Sequence, residues 1–238
     1  MRQLNVPCHD EDRLAGAVHV LRTEANALQA LAVLYESNPA CRDGFSRSVD
    51  AITRHHQSTT YSPTPPTTYA YPSKVVFVGV GKSGWIAKKL VATFTSLGLP
   101  AVFLHPTEAL HGDLGIVGDT DTIVMVTFSG KTPELALLMP HLRPTCPLIL
   151  MTSPMTVESC VLARMRPDSI LLPAPIPELE AASFGVSAPT TSTTMAIALG
   201  DALAFVVSRE VYGATVPAVF GRNHPGGAIG QTYKTQAR

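Results

Sequence analysis

The sequence predicts an α/β fold: a three-layer αβα sandwich around a five-stranded parallel sheet in the flavodoxin-like order 2-1-3-4-5, preceded by an N-terminal helical hairpin. Three observations lead there. An apolar run, Val75–Val78, stops at the glycine turn Gly79-Val80-Gly81, and a helical pattern starts directly after it. The same alternation of short apolar run and helical pattern recurs along the rest of the chain. The runs are apolar throughout rather than at every second position, as a parallel sheet covered on both faces requires.

The chain has 238 residues, 45% hydrophobic and 15% charged, which suits one α/β domain with an appendage. Its 18 basic and 18 acidic side chains balance, and no basic stripe is present, so no nucleic-acid partner is expected. No apolar stretch reaches the roughly 18–20 residues that span a bilayer, so no membrane association is expected. The first residues, MRQLNVPCHDEDR, lack the apolar core of a secretory signal. Cys8, Cys41, Cys146 and Cys160 form no C-x-x-C pair and read as reduced thiols of a cytoplasmic protein.

Residues 10–54 form the helical segment. Leu14, Val18, Leu21, Ala25, Leu28, Ala32 and Tyr35 step alternately by four and three, a helical seam that Ala17, Val20, Leu31 and Leu34 widen. Asn38-Pro39 ends it. Phe45, Val49 and Ile52 mark a second helix, and the pair is expected to cover its own domain or another subunit. Residues 55–73, rich in Pro, Thr, Ser and Tyr, read as a linker or surface loop. His55-His56 in it make a poor chelate without further ligands.

Residues 74–230 form the main domain, with 231–238 as a tail. Strands are expected at Val75–Val78, Ala101–Leu104, Thr122–Val126, Leu148–Met151 and Ser169–Leu172. Helices are expected over Ser83–Leu97, from Pro133, near Val157–Ala163, and over Thr190–Val207 with Met195, Leu199, Ala202 and Val206 inward. His105, Glu108 and His111-Gly112-Asp113 read as a polar loop, and so do Glu178 and Glu180.

A strand feeding a glycine turn at a helix N-terminus holds anions. Gly79-x-Gly81-x-x-Gly84 satisfies the dinucleotide fingerprint, but that fold wants an acid ending the second strand, and Leu104-His105 stand there. A Walker loop needs a glycine five residues before Gly81, where Val76 sits. The third strand instead ends in Thr127, Ser129, Gly130 and Thr132 at another helix start. In the order 2-1-3-4-5 this loop faces Gly81 and Ser83 across the switch point, a cradle for one terminal phosphate. Ser and Thr at both places also fit ordinary helix caps.

Five segments carry a family resemblance: Gly79-Val80-Gly81-Lys82-Ser83-Gly84, His111-Gly112-Asp113-Leu114-Gly115, Ser129-Gly130-x-Thr132-x-Glu134, Pro189–Thr194 with Gly200-Asp201-Ala202-Leu203, and Asn223-His224-Pro225-Gly226-Gly227-Ala228. Together, and in this order, they resemble the sugar isomerase (SIS) domain of the arabinose-5-phosphate isomerase family. The resemblance implies an aldose–ketose isomerase of a pentose phosphate, without metal or organic cofactor, assembled as a homotetramer with sites at subunit interfaces. A binding module that lost turnover, or an isomerase of another ketose phosphate, is the alternative.

The resemblance implies a catalytic glutamate at Glu180, with Glu178 as rival, and a ring-opening histidine at His224, in reach of its own or a neighbour's site. Lys82 would stabilise the enediolate or attract the phosphate. His111 and Glu134 would bind substrate hydroxyls or relay protons; His111 with Asp113 is otherwise a candidate divalent site. Ser192 and Thr193 would complete the phosphate cradle or merely cap their helix. Thr127, Phe128 and Lys131 stand where the family usually has a serine, a polar residue and an acid. An extra residue lies between Gly185 and Ala188. The chain ends before the tandem CBS pair of longer relatives, so that module is expected to be absent.

Overall fold

The computed structural model describes residues 10–54 and 73–226. The 55–72 segment, Cys8, Gly227, Ala228 and the tail expectation lie outside the described residues. Asp10–Ser37 (α1) and Pro39–Thr53 (α2) form the hairpin. Asn38 separates them: its Oδ1 accepts from Ala40 N at 2.9 Å and Cys41 N at 3.2 Å, and Pro39 takes the first helical position.

The sheet consists of β1 (Val75–Val78), β2 (Ala101–Leu104), β3 (Thr122–Val126), β4 (Leu148–Thr152) and β5 (Ile170–Pro173). The order is β2-β1-β3-β4-β5 and every pairing is parallel. Alternate residues of each apolar strand feed opposite cores. Phe77, Val124, Val126, Ile149, Met151 and Leu172 pack under α1, α2, α3 (Gly81–Ser96) and α8 (Thr191–Tyr212). Val78, Ile123, Met125, Leu148 and Leu150 pack under α4 (Pro106–Ala109), α5 (Pro133–Leu138) and α6 (Val161–Met165). This two-sided burial is why the strands show no period of two in sequence.

The long helix α8 crosses α3 closely. A Cβ on Gly200 would stand 2.5 Å from both Leu90 methyls, so only glycine admits this approach. Thr191–Asn223, which comprises α8, a 3₁₀ turn and α9 (Val216–Asn223), has the length and mean hydropathy, 1.4, of a membrane span. More than half of its most apolar window is buried, and packing against α3, α1 and α2 accounts for that apolarity.

Several expectations need correction. The seam of α1 is not buried in the chain: Leu14 and Leu21 are 66% and 67% exposed, and Ala27 and Leu31 are the buried positions. Contact with α8 uses a narrower stripe than the seam: Ala27 and Leu31 lie one helical turn apart, each one position away from a seam residue, Leu28 and Ala32 respectively. On α8, Met195 and Leu199 do point inward, whereas Ala202 and Val206 are exposed and Leu203, Ala204 and Val207 replace them. The four expected positions share one face within about 60°, but the buried face of α8, which includes Ala196, Gly200, Leu203 and Val207, is centred roughly a quarter turn further round. The 105–116 loop contains α4 and a 3₁₀ turn at Asp113–Ile116. Glu180 opens a short helix, α7 (Glu180–Phe184), instead of lying in a loop. The helix near Val157–Ala163 begins only at Val161, and α9 had no counterpart in the expected elements.

Candidate active site

A cleft of about 420 Å³ opens at the carboxyl ends of β1, β3 and β4, on the α3/α8 side of the sheet. Strands 1 and 3 are neighbours here, and their connections leave to opposite faces, the switch point where such sheets bind ligands. Lys82, Ser83, Thr127, Glu180, Ser192 and Thr193 all line it.

The start of α3 is open for an anion. Its N-cap is Val80, whose side chain makes no capping bond, and among the described residues no side chain accepts from the first backbone N–H groups of this sixteen-residue helix. Gly81 takes φ 57° at the turn. Among the described residues the Ser83 hydroxyl and the Lys82 ammonium make no hydrogen bond, and Lys82 is exposed.

Across from it, Thr127 and Thr132 place their hydroxyl oxygens 2.7 Å apart. One hydroxyl proton serves that bond and the other remains for a ligand. Ser129 Oγ accepts from Lys131 N at 3.3 Å and keeps its own proton to donate. Gly130 (φ 64°) sits so close to Cys160 that a Cβ would stand 2.7 Å from the sulfur, and its carbonyl accepts from Leu162 N at 3.0 Å. The loop is thereby pinned to α6. Thr132, Ser129 and Gly130 back the cleft rather than line it.

The start of α8 is not open. Glu180, 8% exposed, presents a single oxygen to it. Oε1 accepts from Thr190 N at 2.7 Å, Ser192 N at 3.0 Å and Ser192 Oγ at 2.8 Å. The rival Glu178 is exposed and accepts from Ser183 Oγ within its own turn, outside the cleft. Thr193 Oγ1 donates to Thr190 O at 2.7 Å. The hydroxyl protons of Ser192 and Thr193 are therefore both committed, one to a carboxylate and one to a carbonyl. The expected phosphate role of these two is not what the geometry displays.

Helix α1 braces this region. His19 Nε2 lies 2.9 Å from Ser183 O, its ring meets Phe184 edge-on, and Thr194 Oγ1 donates to Glu24 at 3.1 Å.

Three candidates are not brought to the cleft within one chain. His111 is exposed beside a separate depression lined by Gly112 and Asp113, and Glu134 is half-buried at the start of α5. Both follow strands whose next helices, α4 and α5, cover the opposite face of the sheet. His224 ends α9, stacked on Phe220 at 4.0 Å with Nδ1 2.7 Å from Phe220 O. Neighbouring Asn223 donates to Thr95 O and Ser96 O, at the far end of α3. That helix rises about 24 Å from the glycine turn, so His224 stands at the opposite pole of the domain. Sequence reasoning missed Thr152 and Ser153, which line the cleft where β4 ends. The strand-end rule that found Thr127 would have found them too.

Residues 69–155 match the SIS domain family. Arabinose 5-phosphate isomerase KdsD of Shigella flexneri is 41% identical over 165 residues, covering 66% of this chain and 46% of the relative. KdsD of Yersinia pestis is 40% identical over 190 residues, covering 79% of this chain and 50% of the relative. The chain thus spans about half the length of these curated relatives. The solved structure of Escherichia coli CFT073 protein c3406 in complex with arabinose 5-phosphate is 32% identical, with a TM-score of 0.71 over 91% of this chain and 100% of that one.

Proposed function

Because the chain belongs to the SIS-domain family, alongside curated members named arabinose 5-phosphate isomerase, we propose that it is an aldose–ketose isomerase of a pentose 5-phosphate, of the ribulose 5-phosphate and arabinose 5-phosphate type. One observation carries the reading. A buried carboxylate, Glu180, shares a single cleft with a cation, Lys82, and with the uncapped helix start and hydroxyls that suit a phosphate.

The substrate phosphate lies on the N–H groups of α3 and takes protons from Ser83 and from Thr127, whose hydroxyl Thr132 supports from behind the cleft. That anchorage orients the reacting carbons. Glu180 removes the C2 proton of the aldose and returns it at C1, while the hydroxyl proton moves from O2 to O1. Lys82 stabilises the enediolate oxygens formed between these steps. Ring opening falls to His224 of a neighbouring subunit, since within one chain it stands a helix length away. The exposed Leu14, Leu21 and Leu28 of α1 suit burial between copies, as a homotetramer would provide. His111 and Glu134 serve substrate hydroxyls at the same assembled site. Residues 74–230 act as the sugar-phosphate domain, and residues 10–54 as the assembling segment, of a cytoplasmic enzyme.

Incubation with a panel of ketose phosphates in deuterated buffer tests the function. Deuterium at the C2 position of an aldose product is expected. Thermal stabilisation by sugar phosphates with no exchange from any of them would leave a binding module instead.

A further inference from the structure

The geometry points to Ser192 as the residue that positions the general base, rather than as a member of the phosphate cradle. The inference rests on the isomerase reading above and assigns to its site a division of labour between two helix starts.

Two long helices begin at the cleft, and they are treated differently. The N-terminus of α3 has no side-chain cap and faces Ser83. The N-terminus of α8 has no cap from its own Thr190, yet its donors are engaged by a carboxylate ten residues earlier in the chain. Phosphate and Glu180 are both anions and compete for such donors. With α8 occupied by Glu180, the phosphate is left to α3.

The occupation is one-sided. Three donors converge on Oε1, two of them from Ser192 alone. A carboxylate held through one oxygen keeps the other, Oε2, for the reacting C–H. Its plane is fixed by donors on a 22-residue helix, which is a rigid support. Ser192 is 7% exposed, so water does not substitute readily for its hydroxyl. Ser192 thus acts through Glu180 and touches no reacting atom.

The test compares S192A, S192T and wild type in three measurements: deuterium exchange with the pentose phosphate, the separate kcat and KM values, and inorganic phosphate affinity by calorimetry. Alanine is a good helix former, so S192A retains the fold, and its melting curve checks this. The expected result for S192A is a kcat lowered roughly 10- to 100-fold, as loss of one charge-assisted hydrogen bond implies. KM and phosphate affinity should stay within about twofold, because the donors of α3 are untouched. S192T, which keeps the hydroxyl, should recover most of the lost turnover. A tenfold or larger loss of phosphate affinity in S192A, with kcat retained, overturns the inference and returns Ser192 to the cradle. Wild-type protein that exchanges no proton overturns the function first and this inference with it, so the wild-type trace alone tells the two failures apart.

Discussion

Lys74 Nζ lies 2.7 Å from Asp121 Oδ2, tying the residues just ahead of β1 and β3 together at the pole of the sheet opposite the cleft. The same carboxylate accepts from Lys74 N at 3.0 Å and Gly118 N at 2.7 Å. Its side chain is almost fully buried and that of Lys74 nearly so. Asp121→Ala leaves three donors without an acceptor. It should destabilise the protein by about 2–4 kcal/mol in chemical denaturation, while phosphate binding at the far pole persists.

Glu180 serves two purposes, and two substitutions separate them. Glu180→Gln retains an oxygen for Thr190 and Ser192, so it should melt near wild type while exchange falls roughly 10²- to 10⁴-fold. Glu180→Ala removes the acceptor of all three donors and should lower stability as well, by about 2 kcal/mol. Equal melting temperatures for the two variants would contradict the capping role. Retained turnover in Glu180→Gln would move the base elsewhere.

His224 is assigned to a neighbour's site, which makes a mixing experiment decisive. His224→Ala and Glu180→Gln should each be inactive alone. Subunits of the two, dissociated and reassociated together, should regain a fraction of wild-type exchange, since some sites then pair an intact glutamate with an intact histidine. No recovery after verified subunit exchange would place both residues in sites of a single chain.

Burial pushes the Cys41 thiol above its ordinary value of 9.0. Burial does the same to Cys146, whose Sγ lies 3.1 Å from Gly118 O. Both raised values mean that the folded state holds these protons more tightly than the unfolded chain. Stability from this source is complete below the unfolded thiol value, and it declines as pH rises through that value toward the folded ones. Melting temperature should accordingly fall from about pH 9 upward, and a thiol reagent at pH 7 should leave both residues unmodified until the protein unfolds. Rapid native-state labelling at Cys146 would refute it.

Gly200→Ala sets two effects against each other. Alanine favours helix by about 1 kcal/mol, but its Cβ meets Leu90, a fully buried side chain with no room to withdraw. Overpacking of this kind costs about 1–3 kcal/mol, so a net loss of roughly 1 kcal/mol is expected from denaturant midpoints.

The strands were legible because each is a short, wholly apolar run between breakers, and β1, β2 and β3 run where the pattern placed them. The glycine turn and the hydroxyl loop could be placed because each follows directly on its strand, β1 and β3, which are neighbours in the sheet. Other features were not, for physical reasons. Ala202 and Val206 look as apolar as Leu203 and Val207, and only the approach of α3 at Gly200 decides which side of α8 faces inward. Glu180 was found, but its hold on α8 was not, because a cap supplied from ten residues upstream leaves no local signature. The distance of His224 from the cleft depends on α9, a helix of only eight residues, too short for a helical period to show in sequence.

Helix α1 settles on α8, so a segment made early finds its cover in one made more than 150 residues later. Ala27 and Leu31 stay wet until about residue 200 has emerged, and the sheet between them must form in the meantime. At a synthesis rate of roughly 5–20 residues per second, that wait lasts on the order of ten seconds. During it, an apolar helix with Leu14, Leu21 and Leu28 along one side is available to any other nascent chain on the same message. The assembly proposed above would then begin before either copy had finished folding.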